Sequence, residues 1–180
     1  GNSDLEIEGK KIAFGIDSFE DYKMWYEEDF VKLADKLYEK KIFDYIYLIC
    51  GKEKSYLADN IIKISNKNYF INCSSKNLNG IIFALKNSNF LVGNNSGPIN
   101  LAAAIGVKSF GLIANDPVEE LQFSKIQIIT PDNYSNIRYR ERVGMKKLTV
   151  DKVFNKIIED LNQWKHQILH YRLQTIKISI

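Results

Sequence analysis

Long apolar runs are missing from this 180-residue chain. No segment reaches the roughly 18 consecutive apolar residues of a membrane-spanning helix, so none is expected. The stretch from Gly1 to Lys11 is polar and acidic and lacks the apolar core of a signal peptide. Cysteine is scarce, because only Cys50 and Cys73 occur, in or beside apolar runs and without CxxC spacing. Buried free thiols in a reducing compartment are therefore expected.

A strong excess of charge of one sign is also absent. The 25 basic and 22 acidic residues are interspersed and leave a net charge of +3, so no nucleic-acid-binding footprint is evident. Anionic small molecules and acidic membrane surfaces stay open as partners. Histidine occurs only as His166 and His170. Neither has an acidic or cysteine partner at a suitable spacing, so both are expected at the surface and not on a metal.

Six short apolar runs are present, and most are continuous rather than alternating. Continuous runs are typical of strands that are buried on both faces of a parallel sheet. The predicted strands are Lys11–Ile16, Tyr45–Cys50, Tyr69–Cys73, Asn89–Gly93, Lys108–Ala114 and Ile126–Thr130.

Stretches with helical spacing of apolar residues separate the runs, which predicts alternating strands and helices. The predicted helices are Glu27–Lys41, Ser55–Ser65, Leu78–Asn87, Ser96–Ile105 and Val150 to about Leu173, and the last includes Trp164. This order predicts an α/β fold with a doubly wound parallel sheet, a Rossmann-like three-layer domain. The expected divisions are a polar leader or domain boundary over residues 1–10, one domain over 11–165 and a tail over 166–180.

Ligands of open α/β sheets bind beyond the carboxyl ends of the strands, so the turns at that edge are candidate sites. After the first strand, Ser18 could face a phosphate and Lys23 could approach one; the alternative is a solvated lysine, with Trp25 packing the helix start. After the second strand, Gly51 would allow close backbone approach and Glu53 could accept hydrogen bonds from ribose hydroxyls. An exposed surface turn is the alternative there.

The turn after the third strand could line a nucleotide base. The backbone of Ser75 and Lys76 and the side chain of Leu78 would do so, although Asn77 could simply cap the following helix.

The turn after the fourth strand, in the sequence NNSGP, is the most informative. Ser96 is a suitable N-cap, Gly97 lets a ligand approach the backbone, and Pro98 suits the first helical turn. Free N–H groups and the positive end of the helix dipole then make a diphosphate site. Ala102, Ala103 and Ala104 are expected to let this helix pack close to the sheet. Any α/β protein can use such a cap, so the isolated motif leaves both readings open.

The order of these turns resembles the C-terminal domain of the heptosyltransferases, glycosyltransferase family 9. The family's K-x-W-P pattern corresponds to KMWY here, with Tyr26 in place of proline, and a glycine-rich turn follows at Gly51. Its D-S-G-P-x-H-L-A-A-A-x-G signature corresponds to NSGPINLAAAIG, so Asn95 and Asn100 replace an aspartate and a histidine.

The resemblance implies half of a two-domain GT-B enzyme of bacterial lipopolysaccharide synthesis. This half would bind a nucleotide-diphosphate sugar such as ADP-heptose. An N-terminal half would bring the catalytic base and a lipopolysaccharide or other surface-glycan acceptor, so this chain alone is expected to be inactive. Lys23, Ser18 and the N–H groups near Ser96 and Gly97 would stabilise the leaving diphosphate. No Asp-x-Asp motif is seen, so neither a metal nor a cofactor is expected.

The resemblance also sets an expected location in the cytoplasm, with peripheral attachment at the inner face of the inner membrane as an option. The nucleotide- and phosphate-binding candidates are Ser18, Lys23, Gly51, Glu53, Ser75, Lys76, Leu78, Asn95, Ser96, Gly97, Pro98 and Asn100.

Two other functions stay open on this scaffold. A non-catalytic nucleotide-binding or interaction domain would agree with Asn95 and Asn100, which remove a carboxylate and an imidazole. A nucleotide-sugar epimerase-like enzyme would need acid and base residues that the sequence does not offer in suitable places. The first strand lacks the G-x-G-x-x-G pattern of a Rossmann dehydrogenase.

Overall fold

A parallel sheet of six strands forms the centre of the computed structural model, which describes residues 3–114, 116–121, 124–132, 134 and 143–163. The strand order is β3-β2-β1-β4-β5-β6. The strands are β1 (Lys11–Gly15), β2 (Tyr45–Ile49), β3 (Phe70–Asn72), β4 (Leu91–Asn94), β5 (Ser109–Leu112) and β6 (Ile126–Ile129). The helices are α1 (Glu27–Glu39), α2 (Ser55–Ser65), α3 (Leu78–Lys86), α4 (Gly97–Ala104), α5 (Val143–Lys146) and α6, helical over residues 150–163.

The doubly wound α/β fold predicted from the sequence is confirmed. Every predicted strand exists, and each of its ends lies within two residues of the predicted position. The register joins Gly15 of β1 to Ile49 on one side and to Gly93 on the other. The winding direction therefore changes between β1 and β4, which is where this class of fold binds ligands.

Both faces of the sheet are covered by apolar side chains, as continuous apolar runs require. In β1, Phe14 points into one apolar layer and Ala13 into the other, because successive strand residues face opposite sides. Helix α1 buries Phe30, Leu33 and Leu37 against the first layer.

Residues 3–10, which the sequence analysis set apart from the domain, pack against it. Leu5 is 1% exposed, and the Tyr47 hydroxyl donates a hydrogen bond to the Leu5 carbonyl at 2.6 Å. Asp4 forms an ion pair with Lys76. The apolar side chain of Leu5 packs in the same apolar layer as Tyr47, so a mostly polar segment becomes part of the fold.

The short helix α5 lies between the last predicted strand and the last predicted helix, where the sequence analysis predicted no helix, and its Met145 is buried. Cys50 and Cys73 are buried free thiols, as predicted. The tail over 166–180, with His166 and His170, lies outside the described residues, as do Trp164 and the predicted continuation of the last helix. In the part that is described, no helix is both long and apolar enough to cross a membrane.

Candidate functional site

Two glycines let the turn after β4 lie directly against the end of β1. A Cβ atom on Gly93 would stand 3.1 Å from the Gly15 carbonyl oxygen, and one on Gly15 would stand 3.3 Å from the Pro98 Cβ. Both distances are shorter than ordinary van der Waals contact. The first turn of α4 therefore sits over the carboxyl end of β1, at the point where the winding reverses.

Asn94 ties the two turns of this crevice together. Its side chain is fully buried: Oδ1 accepts a hydrogen bond from the Trp25 backbone N–H at 2.9 Å, and Nδ2 donates to the Ile16 carbonyl at 3.0 Å. The Trp25 indole N–H donates to the Leu148 carbonyl at 2.9 Å. The sequence analysis placed Asn94 in the NNSGP turn but gave it no role of its own; the available signal was a polar amide at the carboxyl end of a buried strand.

Ser18 is 4% exposed, and its hydroxyl donates to the Asn95 carbonyl at 2.9 Å. It therefore fixes the β1 turn against the β4 turn. The ammonium group of Lys54 lies on the same turn and donates to the Ser18 carbonyl at 2.8 Å and to Asp21 Oδ1 at 2.6 Å. Lys54 was not among the sequence candidates, although it directly follows Glu53.

Lys23 is enclosed by carboxylates rather than solvated. Its side chain is 12% exposed, and its Nζ lies 3.2 Å from Glu20 Oε2, 3.2 Å from Asp116 Oδ1 and 3.3 Å from Glu120 Oε2. Burial alone would lower the pKa of Lys23. The charge of Asp116, together with hydrogen bonds to Asp116 and Glu20, outweighs burial and raises the pKa above its ordinary value. Lys23 is thus a fixed positive charge at the crevice.

The carboxylates after β5 are a further feature that sequence reasoning missed. Asp116 is 3% exposed; burial raises its pKa, and the charge of Lys23 opposes that rise. Glu120 accepts a hydrogen bond at Oε2 from the Asn95 side-chain amide at 2.6 Å. The available signal was the acidic sequence DPVEE directly after a predicted strand, at the edge where the other candidates lie.

The first turn of α4 has free space in front of it. Ser96 is the N-cap residue, but its hydroxyl donates to the Asn94 carbonyl at 3.3 Å and makes no capping hydrogen bond. A Cβ atom on Gly97 would meet nothing within 4 Å. N–H groups in a first helical turn lack intrahelical partners, so an anion can approach them here.

The alanines of α4 do not all play the predicted role. Ala102 is fully buried against the sheet, whereas Ala104 is exposed. A helix presents only one side to the sheet, so a run of three alanines cannot all pack against it. Asn100, in the same helix, is also exposed.

The candidates after β2 and β3 lie along the same edge, farther from the crevice. Glu53 is exposed, and its Oε2 would lie 3.2 Å from a Cβ atom on Gly51. The Gly51 N–H donates to Asp17 Oδ2 at 2.6 Å, and burial raises the pKa of Asp17.

At the end of β3, Ser75 and Leu78 are exposed, and the Leu78 side chain is 64% exposed. The Lys76 N–H donates to the Cys73 carbonyl, which leaves only its carbonyl for a base. Asn77 caps α3 by accepting the Gly80 N–H at 3.0 Å.

The structure therefore joins some candidates and separates others. Ser18, Lys23 and Asn95 belong to one hydrogen-bonded and ion-paired group, whereas Ser75, Lys76 and Leu78 lie two strands away at β3.

A cavity of about 1160 Å³ lies elsewhere, at the amino ends of the strands, where Lys10, Lys108 and Asn89 are among its lining residues. Among the described residues, no group of three or more His, Cys, Asp or Glu is arranged to hold a metal ion.

A family model confirms the resemblance seen in the turns. The model of glycosyltransferase family 9 (heptosyltransferase) matches residues 2–143, which is more than half of the chain. The chain belongs to glycosyltransferase family 9. No curated protein sequence matches it.

Solved structures of family members share the fold of this chain. The E. coli ADP-heptose lipopolysaccharide heptosyltransferase II matches with a TM-score of 0.76 and 16% identity, over 91% of this chain and 50% of that chain. The E. coli heptosyltransferase WaaC with ADP matches with a TM-score of 0.68 and 19% identity, over 84% of this chain and 44% of that chain. A family 9 glycosyltransferase from Veillonella parvula matches with a TM-score of 0.68 and 18% identity, over 85% of this chain and 46% of that chain. The chain thus spans about half the length of these proteins.

This family 9 chain departs from the family signature at Asn95, where the signature has aspartate. The structure places other carboxylates at that point, because Glu120 is hydrogen-bonded to Asn95 and both Glu120 and Asp116 pair with Lys23. The neighbourhood of Lys23 is therefore acidic even though residue 95 is neutral.

Proposed function

We propose that this chain is the donor-binding, C-terminal half of a GT-B glycosyltransferase. One observation carries the proposal: at the point where the winding reverses, the open first turn of α4 and the largely enclosed ammonium group of Lys23 face the same crevice. A positive helix end beside a fixed ammonium group suits a diphosphate. Family membership supports sugar transfer as the reaction, and the fold matches support a nucleotide sugar as the ligand class.

The proposed reaction is displacement at the anomeric carbon of the donor. The bond between this carbon and the diphosphate oxygen breaks, and the acceptor hydroxyl oxygen forms the new bond. The diphosphate leaves with the electron pair of the broken bond, and the hydroxyl proton passes to a base in the other half of the enzyme. Lys23 and the N–H groups near Ser96 and Gly97 stabilise the charge that develops on the diphosphate. Fixed groups of this kind make the transfer independent of a metal.

The remaining candidates hold the nucleoside. Glu53 accepts hydrogen bonds from the ribose hydroxyls, and Ser75 and Leu78 contact the base. ADP-heptose is the proposed donor, since the WaaC structures contain ADP and ADP-2-deoxy-2-fluoro heptose. The acceptor, a lipopolysaccharide or other surface glycan, binds an N-terminal half, and the complete enzyme works at the inner face of the bacterial inner membrane. This half alone binds the donor but does not transfer its sugar.

Calorimetric titration with ADP, UDP, GDP and CDP tests the proposal. Lys23→Ala alone would leave Asp116 without its buried counter-ion, so it is paired with Asp116→Asn. Lys32→Ala is the control, because Lys32 is an exposed lysine of α1 that pairs only with nearby Asp29 among the described residues.

We expect one diphosphate to bind the wild type and Lys32→Ala equally. The double variant should bind this diphosphate at least about tenfold more weakly, because one charge-assisted hydrogen bond to the ligand is lost. Failure of all four diphosphates to bind would contradict the proposal.

A second function, nucleotide binding without transfer, is favoured by the surroundings of Lys23. Three carboxylates already balance its charge, which weakens the stabilisation that it can offer to a leaving diphosphate. Addition of the N-terminal half with ADP-heptose and acceptor separates the two functions. Sugar transfer supports the enzyme, and donor binding without transfer supports the non-catalytic domain.

A further inference from the structure

We infer that Glu120 is the carboxylate that binds the sugar of the donor, held in position by the amide of Asn95. The inference rests on the proposed function, because it assigns a sugar subsite within the same donor site. Neither residue was selected for this role by its sequence context, and Glu120 lies outside the motifs shared with the family.

The strand order gives the direction of the donor along the sheet edge. The nucleoside candidates Glu53 and Leu78 follow β2 and β3, on one side of the β1–β4 crevice. The sugar is attached to the opposite end of the diphosphate from the nucleoside. A donor laid along the edge therefore extends its sugar past the crevice towards β5, the next strand in the order, about 5 Å from β4. Glu120 lies in the turn that follows β5.

The contacts of Glu120 place its carboxylate at that end of the crevice. A single oxygen, Oε2, lies 2.6 Å from Asn95 Nδ2 and 3.3 Å from Lys23 Nζ. Residue 95 begins the turn proposed to hold the diphosphate, and Lys23 is its proposed cation. The carboxylate thus lies next to the phosphate groups, where the first sugar carbon is attached.

Hydrogen-bond chemistry selects a sugar and not a phosphate as the partner of Glu120. A carboxylate repels phosphate oxygens but accepts hydrogen bonds from hydroxyl groups. Its side chain is 36% exposed, whereas that of Asp116, the other carboxylate after β5, is 4% exposed. Glu120 can therefore reach a ligand and Asp116 cannot.

The amide at position 95 explains why the carboxylate can lie there. An aspartate would place a further negative charge against Glu120, whereas Asn95 donates a hydrogen bond to it. Asn95 and Glu120 are thus a matched donor and acceptor. The substrate class that follows is a nucleotide-activated sugar with free hydroxyl groups close to its anomeric carbon.

Calorimetry with ADP and with ADP-heptose tests the inference on wild type, Glu120→Gln and Glu119→Gln. Glu119 is the matched control, because it is an exposed neighbour in the same turn and makes none of these contacts with Lys23 or Asn95. We expect Glu120→Gln to weaken ADP-heptose binding about tenfold, the value of one charge-assisted hydrogen bond, and to leave ADP binding unchanged or tighter. Glu119→Gln should change neither affinity.

A second variant pair tests the match between the two side chains. Asn95→Asp should weaken ADP-heptose binding. Asn95→Asp combined with Glu120→Gln should restore a hydrogen bond between the two side chains, but it should bind ADP-heptose no more tightly than Glu120→Gln alone, because the carboxylate at position 120 is lost. Equal effects of Glu120→Gln on ADP and ADP-heptose, or no effect on either, would overturn the inference and leave the proposed function standing. A wild-type chain that binds neither compound would overturn both.

Discussion

Asn94 is expected to be the most sensitive polar residue of the crevice. Its side chain is fully buried and makes two hydrogen bonds, one to the Trp25 N–H and one to the Ile16 carbonyl. The substitution Asn94→Ala removes both of these buried hydrogen bonds. Each buried hydrogen bond lost costs about 1–3 kcal/mol, so the free energy of unfolding should fall by about 2–6 kcal/mol.

The substitution Asn94→Asp adds a pH dependence whose sign follows from burial. A carboxyl group at this position keeps the acceptor for Trp25, and only its protonated form can donate to Ile16. Burial raises the pKa of the introduced group above the unfolded value of about 3.9. The hydrogen bonds are therefore complete at low pH. Stability relative to wild type should fall by up to about 1.4 kcal/mol per pH unit above pH 4, until the folded-state pKa is passed.

Urea unfolding at pH 5, 6, 7 and 8 measures both effects. Asn60→Ala and Asn60→Asp are the controls, because Asn60 is an exposed asparagine of α2. Their free energies of unfolding should stay within about 0.5 kcal/mol of wild type. The reasoning fails if Asn94→Ala matches its control, or if the deficit of Asn94→Asp is the same at all four pH values.

Glycine substitutions should separate packing from ligand approach. A Cβ atom on Gly93 would press on Gly15, so Gly93→Ala should lower the free energy of unfolding by about 1–3 kcal/mol, whereas Gly97→Ala should leave it unchanged or slightly raised and weaken ADP binding. Urea unfolding and calorimetry measure these effects, and a stable Gly93→Ala protein would contradict the packing. For the thiols, burial raises the pKa of Cys50 and of Cys73 to about 12. At pH 8 the thiolate fraction of each cysteine should be roughly a thousandfold smaller in the folded chain than in the unfolded chain. A thiol reagent should therefore react fast with these cysteines only in denaturant.

The sequence predicted which edge of the sheet carries the candidate residues better than it predicted which side chains meet there. Gly51, Glu53 and the turn around Gly97 lie at that edge because each follows a continuous apolar run, and the carboxyl ends of parallel strands share one edge. Asp116 and Glu120 were missed although they also follow a strand. Their importance comes from Lys23, and the Lys23–Glu120 pair spans 97 positions of the chain.

Some side chains proved to have structural partners that no local pattern indicated. Ser18 was predicted to face a phosphate, yet its hydroxyl donates to the Asn95 carbonyl. Lys76 was considered for a base, yet its ammonium group pairs with Asp4 of the N-terminal segment. Both partners are distant in sequence, so only the folded chain shows them.

The amino-acid sequence by itself determined the alternation of strands and helices, the doubly wound sheet and the turn at which a helix start meets the winding reversal. These features follow from the periodicity of apolar residues and from capping residues, which act within a few positions of the chain. The tertiary structure alone decided which groups surround Lys23, that Asn94 joins two turns and that Glu120 meets Asn95. Such contacts depend on strand order and loop geometry, because both bring distant residues together without any local signature.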